Sequence, residues 1–250
     1  MHNFYFAGHY LSEFAGRIGQ APAHQIAQRD FELVEIPGRS GDIIQDNGRY
    51  KNVSFKLQIY FLPYLSEQTA RQLAYAVIDW LGAFNGYQEY RDTYNPDYYT
   101  KAVITNLDEI KRELPTLLST TIEFSRIPFW YRLDGRNEIE LPYDTEIKMN
   151  NSEVLPAEPT LIYRKNTQIS ASPYLFINSE LVTFDKLKTS LNLYIMDGLT
   201  KSYKGYDDNN NSTHISPTLP PNLKTGLNSF VSKRDSKYGT FYVIPNWRRL

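Results

Sequence analysis

Residues able to do acid–base, nucleophilic or metal chemistry are plentiful in this sequence, but almost none stand at spacings that build a site. There is no His-Glu-Xaa-Xaa-His helix to hold zinc and no Gly-Lys-Ser/Thr step to cradle a phosphate. The Gly-Xaa-Ser-Xaa-Gly elbow that exposes a nucleophilic serine is absent. Gly38-Arg39-Ser40-Gly41 lacks the phosphate-loop lysine and falls in a hairpin rather than before a helix. With no cysteine there is neither a thiol nucleophile, nor a disulfide, nor a thiolate zinc site. His2, His9 and His24 lie in the first stretch of chain. Asp108-Glu109 reads as a solvated face. The oxygen-rich loop 207–212 has calcium-type ligands but lacks the spaced donors and closing glutamate of an EF-hand. The chemistry implied is that of contacts: no catalytic residue, no cofactor and no metal is assigned.

What the sequence does specify is backbone geometry, and most sharply around Pro37. Phe31 and Leu33 alternate with Glu32, after which Val34 and Ile36 form the next apolar pair. A one-residue slip turns side chains to the other face, which predicts a bulge near Leu33-Val34. Pro37-Gly38 suits a type II turn, because proline fixes φ at the first central position and glycine permits φ > 0 at the second. Gly41 adds a second permissive point. A short strand over 42–45 then meets Asp46-Asn47-Gly48, a strong hairpin signal. From Tyr50 the chain returns through Val53, Phe55, Leu57, Ile59 and Phe61, each separated by a more polar residue, as a half-buried strand. The expectation is one long hairpin over about 31–61.

The elements that must carry this hairpin follow from periodicity. Residues 66–84 are the one clear helix: Ala70, Leu73, Ala74, Val77, Ile78, Leu81 and Phe84 recur at three- and four-residue steps. Ser66 is the expected N-cap, and the apolar stripe is expected to pack on the 53–61 strand. A short strand at 4–6 precedes the hairpin, and 14–27 reads as loop with at most one helical turn. Further strands are predicted near 88–90, 98–104 and 116–127. Pro128 ends the last of them because it has no N–H to give. After Asp134-Gly135 helical periodicity disappears, and short strands recur between turn signals, which suggests a sandwich or barrel. They are expected near 159–163, 175–177, 181–184, 191–196, 229–232 and 240–244, with Asn178-Ser179-Glu180 as a tight turn. The domains expected are therefore 1–133 and 134–250.

Composition narrows the function classes. The 250 residues hold 27 basic and 28 acidic side chains, a balance that argues against a general nucleic-acid binder or a polybasic membrane-surface protein. No apolar run is long enough to cross a bilayer as a helix, and Met1-His2-Asn3 lacks the basic start and apolar core of a signal peptide. Twenty tyrosines and 13 phenylalanines favour strands.

Both ends of this pattern resemble one family. Distal tail proteins of long-tailed phages of Gram-positive hosts carry a Pro-Gly-Arg-Xaa-Gly segment, then a Gly-Xaa-Tyr-Xaa-Asn step and a long alternating strand. Here those are Pro37-Gly38-Arg39-Ser40-Gly41 and Gly48-Arg49-Tyr50-Lys51-Asn52. The family also closes on a Pro-Xaa-Leu-Xaa-Xaa-Gly-Xaa-Asn step, a hairpin and a terminal Pro-Xaa-Trp-Arg. Pro221-Asn222-Leu223-Lys224-Thr225-Gly226-Leu227-Asn228 and Pro245-Asn246-Trp247-Arg248 stand in that order. The resemblance spans the whole chain.

The resemblance implies a mainly β protein with one helix. Its first domain would be a β-sandwich-like ring former with a long hairpin arm, and its second a galectin-like antiparallel β-sandwich. It implies a non-enzymatic virion protein at the tail tip, a ring of six joining the tail tube to the tip or lysin protein. Receptor-binding proteins are possible further partners, with no specific nucleic acid and no membrane insertion. Pro37, Gly38, Arg39, Gly41, Asn47, Gly48 and Tyr50 would form the arm that reaches a neighbouring subunit. Trp247 and Arg248 would dock the chain end, either on another subunit or as an intramolecular plug. Two other readings stand beside this one. One is a carbohydrate-binding adsorption module using exposed Tyr or Trp of the second domain. The other is a hydrolase of unknown type, which lacks any recognisable acid–base set.

Overall fold

The computed structural model describes residues 2–23, 25–166, 172–184, 188, 190–215, 219–233 and 237–250; His24, noted above, lies outside them. The chain divides into two compact units, Met1–Trp130 together with Leu250, and Tyr131–Arg249.

The first unit is organised by the strand whose alternation is cleanest. Strands β1 (Phe4–Phe6), β2 (His9–Tyr10), β3 (Gly16–Ile18), β4 (Arg29–Val34), β5 (Ile43–Tyr50) and β6 (Val53–Phe61) precede the helix α1 (Ala70–Gly82). After it come β7 (Gln88–Asp92), β8 (Tyr98–Leu107), β9 (Lys111–Leu114) and β10 (Leu117–Arg126). The main antiparallel sheet runs β2-β1-β7-β8-β10-β6-β3, with β9 also on β10. Val53, Phe55, Leu57, Ile59 and Phe61 are all buried, and β6 pairs with β10 without interruption from Phe61↔Leu118 to Val53↔Arg126. β3 and β9 were not anticipated. Both are short, and glycine or charge masks their periodicity.

Helix α1 packs Leu73, Val77, Trp80 and Leu81 into the same core as β6. Burying each such side chain contributes about 1.5–3 kcal/mol. The Trp80 indole N–H donates to the Phe6 carbonyl at 3.0 Å, so the largest helix side chain also bonds to β1. The helix starts later than the sequence suggests. Thr69, not Ser66, is the N-cap: its hydroxyl accepts the Gln72 N–H while the Gln72 side chain accepts the Thr69 N–H. This reciprocal box satisfies two otherwise orphaned donors. Ser66 instead closes a 3₁₀ turn over Pro63–Leu65. Ile78 and Phe84, counted into the buried stripe, are half exposed, because the buried face follows Leu73, Val77, Trp80 and Leu81 and the helix ends at Gly82.

The second unit is a two-sheet β structure. After β11 (Trp130–Arg132) come β12 (Ile139–Leu141), β13 (Glu146–Asn151), β14 (Thr160–Lys165), β15 (Tyr174–Ile177) and β16 (Glu180–Thr183). Then follow β17 (Leu193–Asp197), β18 (Ser202–Tyr206), β19 (Ser212–Ile215), β20 (Gly226–Ser232), β21 (Gly239–Ile244) and β22 (Arg248–Arg249). One sheet is ordered β12-β21-β14-β17-β18-β19 and the other β13-β20-β15-β16, every pair within them antiparallel. Tyr163, Tyr194, Tyr203 and Phe241 of the first share one core with Leu175, Ile177, Val182 and Phe230 of the second. Asn178 and Ser179 take φ of 50° and 71° between the paired residues Ile177 and Glu180. That is the two-residue hairpin geometry with φ > 0 at both positions. β12, β13, β18 and β19 escaped the sequence reading because each carries at most two large apolar side chains.

Replacing Thr69 by Ala should destabilise the first unit by about 1 kcal/mol through loss of the cap. Ser66→Ala should stay within about 0.5 kcal/mol. Urea unfolding followed by far-UV circular dichroism separates the two; equal losses would put the helix start back at Ser66.

Candidate functional site

β4 and β5 form a sheet of their own, a two-stranded ribbon separate from the main sheet. Their register runs Phe31↔Asp46, Glu32↔Gln45, Leu33↔Ile44 and Val34↔Ile43. At the far end the Arg39 N–H donates to the Ile36 carbonyl at 3.1 Å, and Gly38 takes φ of 83°. Pro37 and Gly38 thus occupy the two central turn positions, as their residue types require. Pro37, Gly38, Arg39 and Gly41 are all exposed.

Three expectations are corrected here. The bulge lies not at Leu33-Val34 but between Asp30 and Phe31, where the partner on β5 jumps from Arg49 to Asp46 and leaves Asn47 and Gly48 outside the ladder. Asp46-Asn47-Gly48 is therefore no hairpin turn. Its glycine supplies φ of 69° for the bulge, and the Asp46 carboxylate accepts the Gly48 N–H at 2.8 Å. A turn-forming triplet and a bulge ask for the same left-handed backbone, which is why the two cannot be told apart by residue type. Finally, β5 is the strand that returns along β4, whereas β6 belongs to the main sheet. The projecting element spans 29–50 rather than 31–61. The apolar slip at Leu33-Val34 marks something else: Leu33 faces Ile44 and Val34 faces Ile43, so both ribbon faces are apolar near the turn. Leu33 is 58% exposed and Ile44 66%.

The root of the ribbon is built from ion pairs and rings. The Arg49 Nε–H donates to buried Asp30 at 2.7 Å, and Lys51 Nζ lies 3.5 Å from its other oxygen. Across the bulge the Arg29 Nε–H donates to Asp46 at 2.7 Å. The hydrogen bond from Arg49 holds the Asp30 carboxyl below its ordinary range, against burial, with Lys51 assisting. The bond from Arg29, and then the Gly48 N–H, do the same for Asp46. Both carboxyls are thus lower in the folded than in the unfolded chain, so the stabilisation they give is present above the ordinary carboxylate value and is lost as the pH falls from there through the lowered folded value. The Arg29 guanidinium lies 5.8 Å from the Tyr50 ring centroid, and the Tyr50 and Phe129 rings meet edge to face with their centroids 5.7 Å apart. Tyr50 thus links ribbon to body. Arg126, almost fully buried, donates to the carbonyls of Ile127, Pro128 and Gln25. Burial lowers its guanidinium to about 10, against the pull of Tyr90 and Asp92. It ties the segment entering the ribbon to the segment carrying Phe129.

Trp247 and Arg248 are satisfied inside their own unit. Trp247 is buried in the second core, and its main chain packs so closely on Gly135 that a Cβ there would lie 2.9 Å from Trp247. Its carbonyl accepts the Arg132 N–H at 2.9 Å. Arg248 pairs with Glu158 at 2.9 Å and donates to the Pro156 carbonyl at 2.9 Å, while Lys201 takes the other Glu158 oxygen at 3.0 Å. The Arg248 side chain is 12% exposed, held by these partners and not by solvent.

Elsewhere the geometry offers little for chemistry. In the 207–212 loop the Asp207 carboxylate accepts the N–H groups of Asn209 and Asn211, at 2.9 and 2.8 Å. Among the described residues no three His, Asp or Glu side chains gather as a metal site. Two adjoining clefts, of about 350 and 560 Å³, share Ala23 and Lys56, and the Lys56 ammonium is paired with Glu123 at 3.4 Å. Sequence reasoning missed Arg29, Asp30 and Asp46 as the ribbon root and Phe31, Leu33, Ile43 and Ile44 as its exposed apolar surface. The second group was readable as apolar residues at consecutive positions in a strand otherwise polar.

No family model matches the chain, and no curated protein does either. Solved structures do. The SPP1 Dit protein, described as a paradigm of the hub adsorption apparatus in phages infecting Gram-positive bacteria, matches with a TM-score of 0.67 at 12% identity, covering 100% of both chains. A chain of the phage P2 baseplate in its activated conformation with Ca matches with a TM-score of 0.55 at 9% identity, covering 100% of this chain and 98% of that one. The same baseplate with Sr gives 0.53 at 9%. At these identities the likeness is one of fold: the chain has the Dit-like, β-rich fold over its full length.

At Gly38 an added Cβ meets nothing within 4 Å, so the cost of a side chain there is that of the backbone alone. Gly38→Val should cost about 1–3 kcal/mol at the turn while leaving the main-sheet core intact. Amide exchange should then quicken over 31–46 and not over 53–61. Unchanged exchange in the ribbon would show that the turn does not depend on φ > 0.

Proposed function

We propose that this chain is a structural subunit of a phage tail, a distal hub whose copies close into a ring of six. The observation that carries the reading is a full-length Dit-like fold from which a ribbon projects with apolar faces that its own unit leaves uncovered. A two-stranded ribbon is marginal in water by itself. A neighbouring subunit supplies the missing layer, and the same contact repeated head to tail closes a ring. The number six comes from the family resemblance. Pro37, Gly38, Arg39 and Gly41 shape the tip of this arm. Asn47 and Gly48 set its bulge, and Tyr50 sets its root.

In this role the ring joins the tail tube on one side to tip or lysin proteins on the other, in the virion at the tail end. The second unit carries receptor-binding proteins. Trp247 and Arg248 lock that unit so that the chain end does not fray under load. The function asked of the chain is geometric, a fixed hub with an open centre, and involves no reaction. The near-neutral balance of charge suits a channel through which DNA must slide, since a basic lining would hold phosphates strongly.

Size-exclusion chromatography with light scattering tests this. The purified chain, concentrated or mixed with the adjoining tail proteins, should run at six copies or at twelve where two rings stack. A monomer under both conditions would contradict the hub.

A further inference from the structure

We infer that the ribbon is gripped on both faces by neighbouring copies of this chain, seated in a cleft rather than laid along a surface; this rests on the hub reading above. In an antiparallel pair, residues directly opposite one another share a face, and faces alternate along each strand. Phe31, Leu33 and Ile44 therefore stand on one face, and Val34 and Ile43 on the other. Their exposures are 46%, 58% and 66% for the first face and 41% and 39% for the second. A ribbon resting on a single surface needs one apolar face, with polar residues turned to water, as β6 shows in the same unit. The ribbon keeps that alternation only near its root, where Glu32 and Gln45 share a face. Toward the turn both faces are apolar at successive pairs, Leu33↔Ile44 and Val34↔Ile43. Segments of that kind belong where both sides are dry.

The occupant follows from charge and from what else the chain exposes. The basic groups at the root are matched within the ribbon: Arg29 by Asp46, Arg49 and Lys51 by Asp30. Its other exposed charges are Glu32, Glu35, Arg39 and Asp42, three acidic and one basic, so beside its apolar side chains the ribbon offers no basic surface, which favours a protein over a polyanion. The first unit also exposes large apolar side chains on α1 and in the segments flanking it: Tyr64, Leu65, Tyr75, Ile78 and Phe84. One apolar patch on the ribbon and another elsewhere on the same unit are the two halves of a head-to-tail contact, which copies of one chain can satisfy without a further protein.

The chain has no cysteine, so single cysteines report cleanly on each face. Leu33→Cys samples the first face, Val34→Cys the second, and Glu180→Cys, in the exposed hairpin of the second unit, serves as control. Maleimide labelling is timed on the isolated ring and on dissociated subunits. Both ribbon cysteines should react about tenfold or more slowly in the ring, as buried sites do, while the control is unchanged. A ring in which either ribbon cysteine keeps its free-subunit rate would overturn the two-faced grip and leave the hub standing. A chain that never assembles would remove both. Where a cysteine itself blocks assembly, Ile44→Ser and Ile43→Ser decide: each should weaken ring formation by about tenfold or more through lost burial. Weakening by only one of them overturns the inference.

Discussion

A ribbon of two strands has no second layer against which to bury its side chains, and this constraint governs how the first unit is built. The β4–β5 pair satisfies its inner hydrogen bonds but leaves Phe31, Leu33, Ile43 and Ile44 in water. Such a ribbon keeps a direction only if its root is held. The Lys51 N–H on the Gln28 carbonyl, at 2.8 Å, ties the two strands together at that root, and the body supplies the hold through Tyr50 on Phe129 and Arg126 on the Gln25 carbonyl. Arg126 is the costliest element of the arrangement, a guanidinium withdrawn from water. Its three carbonyl acceptors and the Trp130 ring, 5.2 Å away, offset that desolvation. Truncating it would leave three carbonyls of two separate segments without their donor, so its loss acts at the ribbon as well as in the core.

The second unit answers a different demand. It has no projecting element comparable to the ribbon among its described residues, and Trp247 is buried in its core. Trp247 fits only because position 135 is glycine, and Glu158 collects both Arg248 and Lys201. Asn246 adds a bond to the Glu158 carbonyl at 2.9 Å from a left-handed backbone with φ of 55°. These contacts knit the last strands to the 156–160 segment.

How much of this was legible in the sequence depended on whether a residue pattern had one structural meaning. The strands β6 and β10 and the helix α1 were readable because long apolar periodicities admit a single interpretation. The Pro37-Gly38 turn was readable because few other backbones suit that pair. Asp46-Asn47-Gly48 was not, since a tight turn and a bulge need the same φ > 0, and only the pairing of Asp30 with Arg49 decides between them. The start of α1 was misplaced because Ser66 and Thr69 are both good caps, and Gln72 reciprocates only with Thr69. Strands such as β9 and β18 are short and carry too few large apolar side chains for a period to be read. Of the candidate site, the turn was legible and the ion-paired root was not: Arg29 with Asp46 and Asp30 with Arg49 are contacts across the ribbon that appear only once its register is known.

Single-particle electron microscopy of the purified chain, alone and with the adjoining tail proteins, tests the central claim most directly. The account predicts closed particles with six-fold symmetry in which the turn end of each ribbon, from Ile36 to Ile43, lies against the next subunit. Rings whose ribbons stand free in solvent, or particles no larger than one chain, would contradict it.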